Sequence, residues 1–270
     1  DQTKCRTTNP ASSRRRVVDA DENYARQCFN LYKMLRYPDN RLIFRPPLRR
    51  PPDEMLNDFE QNGAMPITSE LYFDDAYADS TSSDIDRKNK KNEKQEQKEE
   101  EYRVPMIKKI YMENLENIVK ARQALAYDDL TLIDKTLDYE TKYIRGKSVV
   151  VIGTVTPWVE AIASVRGARH VTTLDYTRKF YQMHRKFEWF HVYDYLDHSL
   201  EEGELETFDV AMSFSSIEHA GLGRYGDALD PDGDLHAVQQ VHCMLRPGGL
   251  FILGLPSSKD DSSYIEFNAH

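Results

Sequence analysis

Residues 146–153 read Gly-Lys-Ser-Val-Val-Val-Ile-Gly, a sequence typical of a buried strand. The segment from Ser148 to Ile152 is continuously apolar after its serine rather than alternating, and a glycine stands close to each end. Short continuous runs rich in β-branched residues are typical of strands that are buried on both faces of a parallel sheet. We therefore expect an α/β fold in which helices cover both faces of the sheet.

The pattern repeats towards the C-terminus. Further strands are predicted at 170–174, 190–193, 208–214 and 250–253. Helices are predicted at 157–166, 177–186 and 235–245, and Pro157 suits a first helical turn. A Pro-Gly-Gly turn at 247–249 precedes the last strand. Alternating strands and helices with short connections predict successive βα units.

The residues before the α/β region differ in composition. Residues 1–52 form a basic, proline-rich arm with one helix at 19–36, and the four prolines of 45–52 favour a stiff linker over an SH3-type ligand. Residues 53–101 are acidic and of low complexity, and we expect them to be largely disordered. Apolar residues at three- and four-residue spacings predict a helical lead-in at 102–145. The α/β domain occupies 146–270.

Composition excludes several classes of protein. The 270 residues carry a formal net charge of −9, which argues against general nucleic-acid binding, and no apolar stretch is long enough to span a membrane. Three cysteines cannot build a disulfide framework, and Cys243 is interpreted as a buried thiol. A cytoplasmic location is slightly favoured, although a signal peptide or anchor removed before Asp1 would leave no trace.

Polar residues follow three of the predicted strands, where ligands bind in parallel sheets. Gly153 would let a ligand approach the backbone, and Asp175 could accept hydrogen bonds from a ribose or cap the next helix. Glu218 and His219 follow the strand at 208–214; His219 could act as a general base, and Glu218 could orient it or bind an amine. Both could equally have structural roles. Acidic residues at 230–234 match a calcium loop poorly, so no metal site is predicted.

These residues, together with Leu245-Arg-Pro-Gly-Gly before the last strand, resemble a class I S-adenosylmethionine-dependent methyltransferase with a Rossmann-like core. The string from Ser213 to Asp227, with the terminal Phe-Asn-Ala-His270, is similar to a nematode family of unknown function built on that core. The resemblance covers 146–270. The family core continues beyond a fifth strand, so we expect this one to be truncated, with an exposed hydrophobic edge. Either the chain is a fragment, or the N-terminal helices cover this edge, or the protein is a non-catalytic relative.

The resemblance implies S-adenosylmethionine as cofactor and assigns positions. Gly153 and Thr154 would contact its methionine part, Asp175 the ribose, and Tyr176 and Asp194 the adenine. Ser213 and Ser215 would line the methyl-transfer site, with Glu218 and His219 as the catalytic pair on the substrate side. The activity implied is methyl transfer to an oxygen or nitrogen of an unidentified small-molecule or protein acceptor. The alternative is a catalytically inactive binding or scaffold protein, because the first loop lacks the usual glycines. The same lack disfavours an NAD-dependent dehydrogenase.

Overall fold

The computed structural model describes residues 22–38, 42–44, 47–69, 106–123, 133–135, 137, 141–177, 180–181, 186–257 and 264–267. Its centre is a sheet of five parallel strands, which confirms the predicted α/β class. The strands are β3 (Ser148–Ile152), β4 (His170–Asp175), β6 (Phe187–His191), β7 (Phe208–Phe214) and β8 (Leu245–Gly254). They lie in the order β6-β4-β3-β7-β8, so the first strand of the sheet is in its middle.

Helices cover both faces of this sheet. Val149 and Val151 face one core together with α3 (Lys109–Lys120) and α4 (Trp158–Val165). Val150 faces the other core with α1 (Glu22–Arg36), α5 (Val192–Glu202) and α6 (Gly233–Met244). The alternation of side chains along β3 explains why a continuous apolar run was needed, since both faces of the strand are buried.

A third, smaller core lies away from the sheet. It contains Phe59 from α2 (Asp53–Phe59), Leu229 and Phe267, all of which are buried. The rings of Phe59 and Phe267 meet edge to face at 5.5 Å. Strand β1 (Ile67–Thr68) pairs in parallel with β9 (Ile265–Glu266) beside it. N-terminal and C-terminal segments therefore meet in this core.

Several boundaries differ from those that the sequence predicts. The helix predicted at 177–186 is wrong, because Phe180–Tyr181 forms β5, which pairs in parallel with β2 (Met106–Ile107). The third strand of the sheet lies at Phe187–His191 rather than 190–193, and α5 follows it. These shifts depend on pairing with distant segments, which local patterns do not reveal.

The region predicted to be largely disordered is ordered in its first part. Residues 53–69 contain α2 and β1, because Phe59 finds an apolar partner in Phe267, far along the chain. The low-complexity tract from 70 to 101 lies outside the described residues, as does most of the predicted helical lead-in between 124 and 145. In the lead-in, α3 confirms the predicted amphipathic helix, with Met112, Leu115 and Val119 buried.

The last strand of the sheet has an irregular start. Its pairing with β7 jumps from Phe208–Leu245 to Val210–Leu250, so the predicted Pro-Gly-Gly turn bulges out between two paired segments. Within the described residues, no strand pairs with the outer side of β8, and Leu253 and Leu255 are exposed there. None of the described helices combines the length and the apolar character needed to cross a bilayer.

The interpretation of Cys243 as a free thiol is wrong. Its sulfur is bonded to that of Cys28, and the two Cα atoms lie 5.7 Å apart. Cys28 lies on α1 and Cys243 on α6, so a covalent bond joins the N-terminal helix to the α/β domain. A pair separated by 215 positions is invisible to arguments based on local cysteine spacing.

Candidate functional site

The candidate site lies at the carboxyl ends of β3, β4 and β7. The chain leaves β3 towards β4 on one side, whereas β7 lies on the other side of β3. Connections that diverge in this way open a crevice between the two strand ends, which is where ligands bind in sheets of this kind. Gly153, Asp175 and Ser215 are the residues at or next to these ends.

Asp175 joins the loops that follow β3 and β4. We call this side of the sheet, formed by the carboxyl ends of the strands and the loops that follow them, the rim. Its carboxylate accepts a hydrogen bond from the backbone N–H of Thr154 at 2.9 Å and another from the N–H of Thr177 at 2.6 Å. The side chain is almost buried, since the residue is 8 % exposed. The second bond forms a local turn of the kind that aspartate commonly makes with the residue two positions on. Asp175 and Thr154 are therefore brought together, and Asp175 has a structural role as a turn former rather than as the helix cap that the sequence left open.

The backbone conformation and the packing of the protein itself require a glycine at position 153. Its φ is +66°, a left-handed conformation that other residues adopt at a cost. A Cβ atom at this position would also overlap the side chain of Ser216. Val155 is 63 % exposed and Trp158 packs against the core, so neither takes up this space. The room beside Gly153 is filled by the loop after β7, and the glycine is no argument for a ligand there.

The loop after β7 carries the predicted catalytic pair on a short 3₁₀ helix, Ile217–His219. Both carboxylate oxygens of Glu218 are buried, and no described group makes a hydrogen bond of good geometry with them. His219 Nε2 lies 4.0 Å from Glu218 Oε1. Burial raises the pKa of Glu218, and the nearby Ser215 hydroxyl and backbone N–H groups offset this rise only in part. A buried acid with such poor compensation is typical of functional sites.

The two predicted serines lie in different surroundings. Ser213 is buried and donates a hydrogen bond to the carbonyl oxygen of Ile152 at 3.2 Å, which ties β7 to β3. Ser215 is exposed and has a positive φ of 45°. A positive φ in a serine is a strained conformation, and such strain is concentrated at functional sites. Ser215 is therefore the accessible hydroxyl of the pair.

Tyr225 packs against His219 at the rim, and sequence reasoning gave it no role. Its ring lies 5.8 Å from that of His219, nearly perpendicular to it. Burial raises the pKa of Tyr225, the Arg224 guanidinium lowers it, and the carboxylates of Asp175 and Glu218 raise it further. Tyr225 therefore lies within electrostatic range of both carboxylates.

The glycine-rich loop that holds Tyr225 is organised by Asp227, which is 4 % exposed. One of its oxygens accepts hydrogen bonds from the N–H groups of Gly221 at 2.9 Å and Gly223 at 3.0 Å. The other accepts one from Tyr225 N–H at 3.1 Å. Burial raises the pKa of Asp227, and these backbone donors counteract the rise. The donors of this loop hold an internal carboxylate, which argues against a phosphate-binding role. The sequence feature that could have identified this loop is the Gly-x-Gly segment at 221–223, followed closely by Asp227.

The predicted adenine contacts lie at the other end of the rim. The ring of Tyr176 stands edge to face with that of Tyr193 at 5.5 Å, and burial raises the pKa of Tyr176 well above its usual value. Asp194 is exposed in the first turn of α5. Next to Tyr193 is a cavity of about 300 Å³ that is also lined by Arg36, Tyr37, Pro38 and Ile43. These N-terminal residues escaped sequence reasoning because nothing in their local pattern points to the rim.

Arg36 closes this end of the rim. Its Nε donates a hydrogen bond to Asp197 at 2.6 Å, and its guanidinium lies over the ring of Tyr193 at 5.6 Å from the centroid. The hydrogen bond with Asp197 raises the pKa of Arg36, and the charge of Asp194 adds to the effect. The end of α1 is thereby held against the start of α5.

Comparison with protein families identifies the α/β region alone. Residues 146–270 match the family model described as a Caenorhabditis protein of unknown function, DUF268. A search of curated proteins finds no match to the chain. Within the described residues, no group of three or more His, Cys, Asp and Glu side chains is arranged to hold a metal ion.

Proposed function

We propose that residues 146–270 form a Rossmann-like domain of the class I methyltransferase type, which binds S-adenosylmethionine and methylates an oxygen or nitrogen acceptor. The observation that carries the proposal is the buried carboxylate of Glu218 beside His219, on the loop that leaves β7 at the same ends of the strands as Asp175. The sheet order, with the first strand central and the acidic Asp175 ending the next strand, supports it.

The residues of the rim fit this cofactor at two positions. Asp175 stands where a ribose diol is held in folds of this kind, at the end of the second strand of the sheet. The buried carboxylate of Glu218, poorly compensated in the protein, suits an ammonium group such as that of the cofactor's methionine part. The position beside Gly153 does not fit without a shift of Ser216. The cofactor would therefore lie against Thr154 rather than Gly153.

The side chains of the rim have distinct roles in this proposal. Bound S-adenosylmethionine supplies a methyl group on a sulfonium, which is already electrophilic. Transfer then depends mainly on holding the acceptor in line. Ser215 and Tyr225 line the space where the acceptor would lie, and His219 would take up the proton of an acceptor hydroxyl or amine. The acceptor is a small molecule or a protein, since the negative net charge disfavours nucleic acid.

Calorimetric titration with S-adenosylmethionine and with its demethylated product tests the cofactor claim. We expect micromolar binding by the full-length chain, and its loss in Asp175→Ala and Glu218→Gln. Asp209→Ala is a matched control, because Asp209 also accepts a backbone N–H bond, from Ser148 at 2.8 Å, but lies near the amino ends of the strands, opposite the rim. Binding must survive in this control. A folded wild type that binds neither compound would rule out the proposal.

The second candidate is a methyltransferase-like domain without turnover. The packing of Ser216 against Gly153 favours it, because this contact closes the place where a cofactor usually approaches the first loop. Ser216→Gly distinguishes the two candidates. In an active enzyme the substitution leaves cofactor affinity within a few-fold of the wild type or raises it. In an inactive relative neither form binds the cofactor.

A further inference from the structure

We infer that Cys28–Cys243 is a structural disulfide acquired in an oxidising compartment, and that the chain works in the secretory pathway or outside the cell. The inference does not depend on the proposed function. Both cysteines are buried, and their Cα atoms lie 5.7 Å apart, near the usual separation for a disulfide. A buried pair is formed as the protein folds and is shielded from reductants afterwards.

The two cysteines are brought together by a continuous contact along α1. Tyr24, Cys28, Tyr32 and Arg36 follow one another at four-residue spacing and so lie on one stripe of the helix. The Tyr24 hydroxyl donates a hydrogen bond to the backbone oxygen of His242 at 3.1 Å, and Tyr32 is completely buried. Arg36 pairs with Asp197 at the end of the stripe. The disulfide therefore lies inside an extended packing interface and is no accidental contact between surface thiols.

The position of the bond suits a structural role. It joins α1 to α6 across 215 positions of the chain. Linking such distant segments restricts the unfolded chain strongly, which is how structural disulfides stabilise proteins. Neither cysteine belongs to a Cys-x-x-Cys pair of the kind found in redox catalysts.

Formation of the bond requires an oxidant. The Cys28 and Cys243 thiols together lose two protons and two electrons as the sulfur–sulfur bond forms. A disulfide of a thiol–disulfide oxidoreductase accepts them and is reduced to two thiols. Such donors operate in the secretory pathway, whereas cytosolic thiols are kept reduced. The sequence alone slightly favoured a cytoplasmic location, and the disulfide leads to the opposite inference.

The test is to produce the full-length chain in the endoplasmic reticulum lumen and in the cytosol of the same cells. Free thiols are alkylated under denaturing, non-reducing conditions, and the digested peptides are identified by mass spectrometry. We expect a cross-linked Cys28–Cys243 peptide from the lumenal protein and alkylated Cys28 and Cys243 from the cytosolic protein. Alkylation of both residues in the lumenal protein would overturn the inference. So would pairing of either with Cys5, or equal cross-linking in both compartments.

Variants show whether the bond has the structural role. Cys28→Ala with Cys243→Ala should make cleavage within α1 by a protease about tenfold faster or more in the lumenal protein. Cys5→Ala is the matched control, and it should leave both the cross-linked peptide and the cleavage rate unchanged. An unchanged rate in the double variant would contradict a structural role for the bond.

Discussion

The α/β region and the N-terminal region contribute to the molecule in different ways. The α/β region supplies all five strands of the central sheet and the acidic residues of the rim. The described parts of residues 22–69 and 106–123 supply α1, α2 and α3, which lie against it, and Arg36 at the end of α1 closes one end of the rim. Each of the three cores nevertheless contains buried side chains from both regions. We therefore expect that the family match beginning at residue 146 marks a recognisable sequence unit but not a unit that folds by itself.

Removing the N-terminal region should have the largest effect. A fragment of residues 146–270 would expose the apolar faces that α1 and α3 cover. Each large buried apolar side chain contributes roughly 1.5–3 kcal/mol, so losing several partners at once exceeds the ~5–15 kcal/mol that holds a typical domain together. We expect the fragment to be insoluble or to lack a cooperative thermal transition by circular dichroism.

A longer fragment makes this test more specific. Residues 106–270 keep α3 and therefore restore the first core but not the second or third. We expect this fragment to recover part of the secondary structure and to unfold well below the full-length chain. Cooperative unfolding of residues 146–270 alone, near the melting temperature of the full-length chain, would contradict this expectation. It would show that the α/β region folds independently of the N-terminal region.

Truncation of one buried side chain of α3 should also show that the α/β region depends on the N-terminal helices, with a smaller loss of stability. Leu115 is 4 % exposed and lies in the first core, so Leu115→Ala removes apolar contacts and leaves a cavity. We expect a loss of about 2–5 kcal/mol in the free energy of unfolding, measured by urea denaturation. Ile110→Ala is the control on the same helix, because Ile110 is 59 % exposed and should change stability by less than about 0.5 kcal/mol. Equal losses in both variants would show that α3 is not docked.

Substitutions in the glycine-rich loop around Asp227 test whether the candidate site belongs to the rigid part of the α/β region. Asp227→Ala removes the acceptor of three backbone N–H bonds in a buried loop. We expect a loss of about 2–3 kcal/mol, since buried donors without an acceptor are costly. Asp232→Ala, at an exposed position nearby, should cost less than about 0.5 kcal/mol. Hydrogen exchange of Gly221 and Gly223 should accelerate only in the first variant, and unchanged protection there would contradict the proposed role.

The two regions also differ in how far their sequences predict them. The strand at 208–214 and the helix at 235–245 follow from local apolar patterns, and both agree with the structure to within two residues. The burial of Phe59 and the Cys28–Cys243 bond depend on partners more than 200 positions away, which no local pattern contains. At the rim, the position of Asp175 at the end of a strand was predictable from the order of the strands along the chain. The burial of Glu218 was not, because it arises from how the loop after β7 folds onto β3.

Replacing Glu218 should have the smallest effect on the free energy of unfolding. It should raise stability, whereas the other changes lower it. Burial raises the pKa of Glu218 above the value in the unfolded chain, so between these two values the folded state binds more protons than the unfolded state. Stability contributed by this group therefore falls as the pH rises through that window and stays lower at neutral pH. Glu218→Gln removes the buried charge, and we expect a gain on the order of 1 kcal/mol at pH 7 with little change at pH 4. Urea denaturation at both pH values measures it, with Glu202→Gln, an exposed change on α5, as the control. A loss of stability at pH 7 would mean that the charged carboxylate is well solvated or paired in the folded protein. The rim would then lack the poorly compensated acid on which the proposed cofactor site depends.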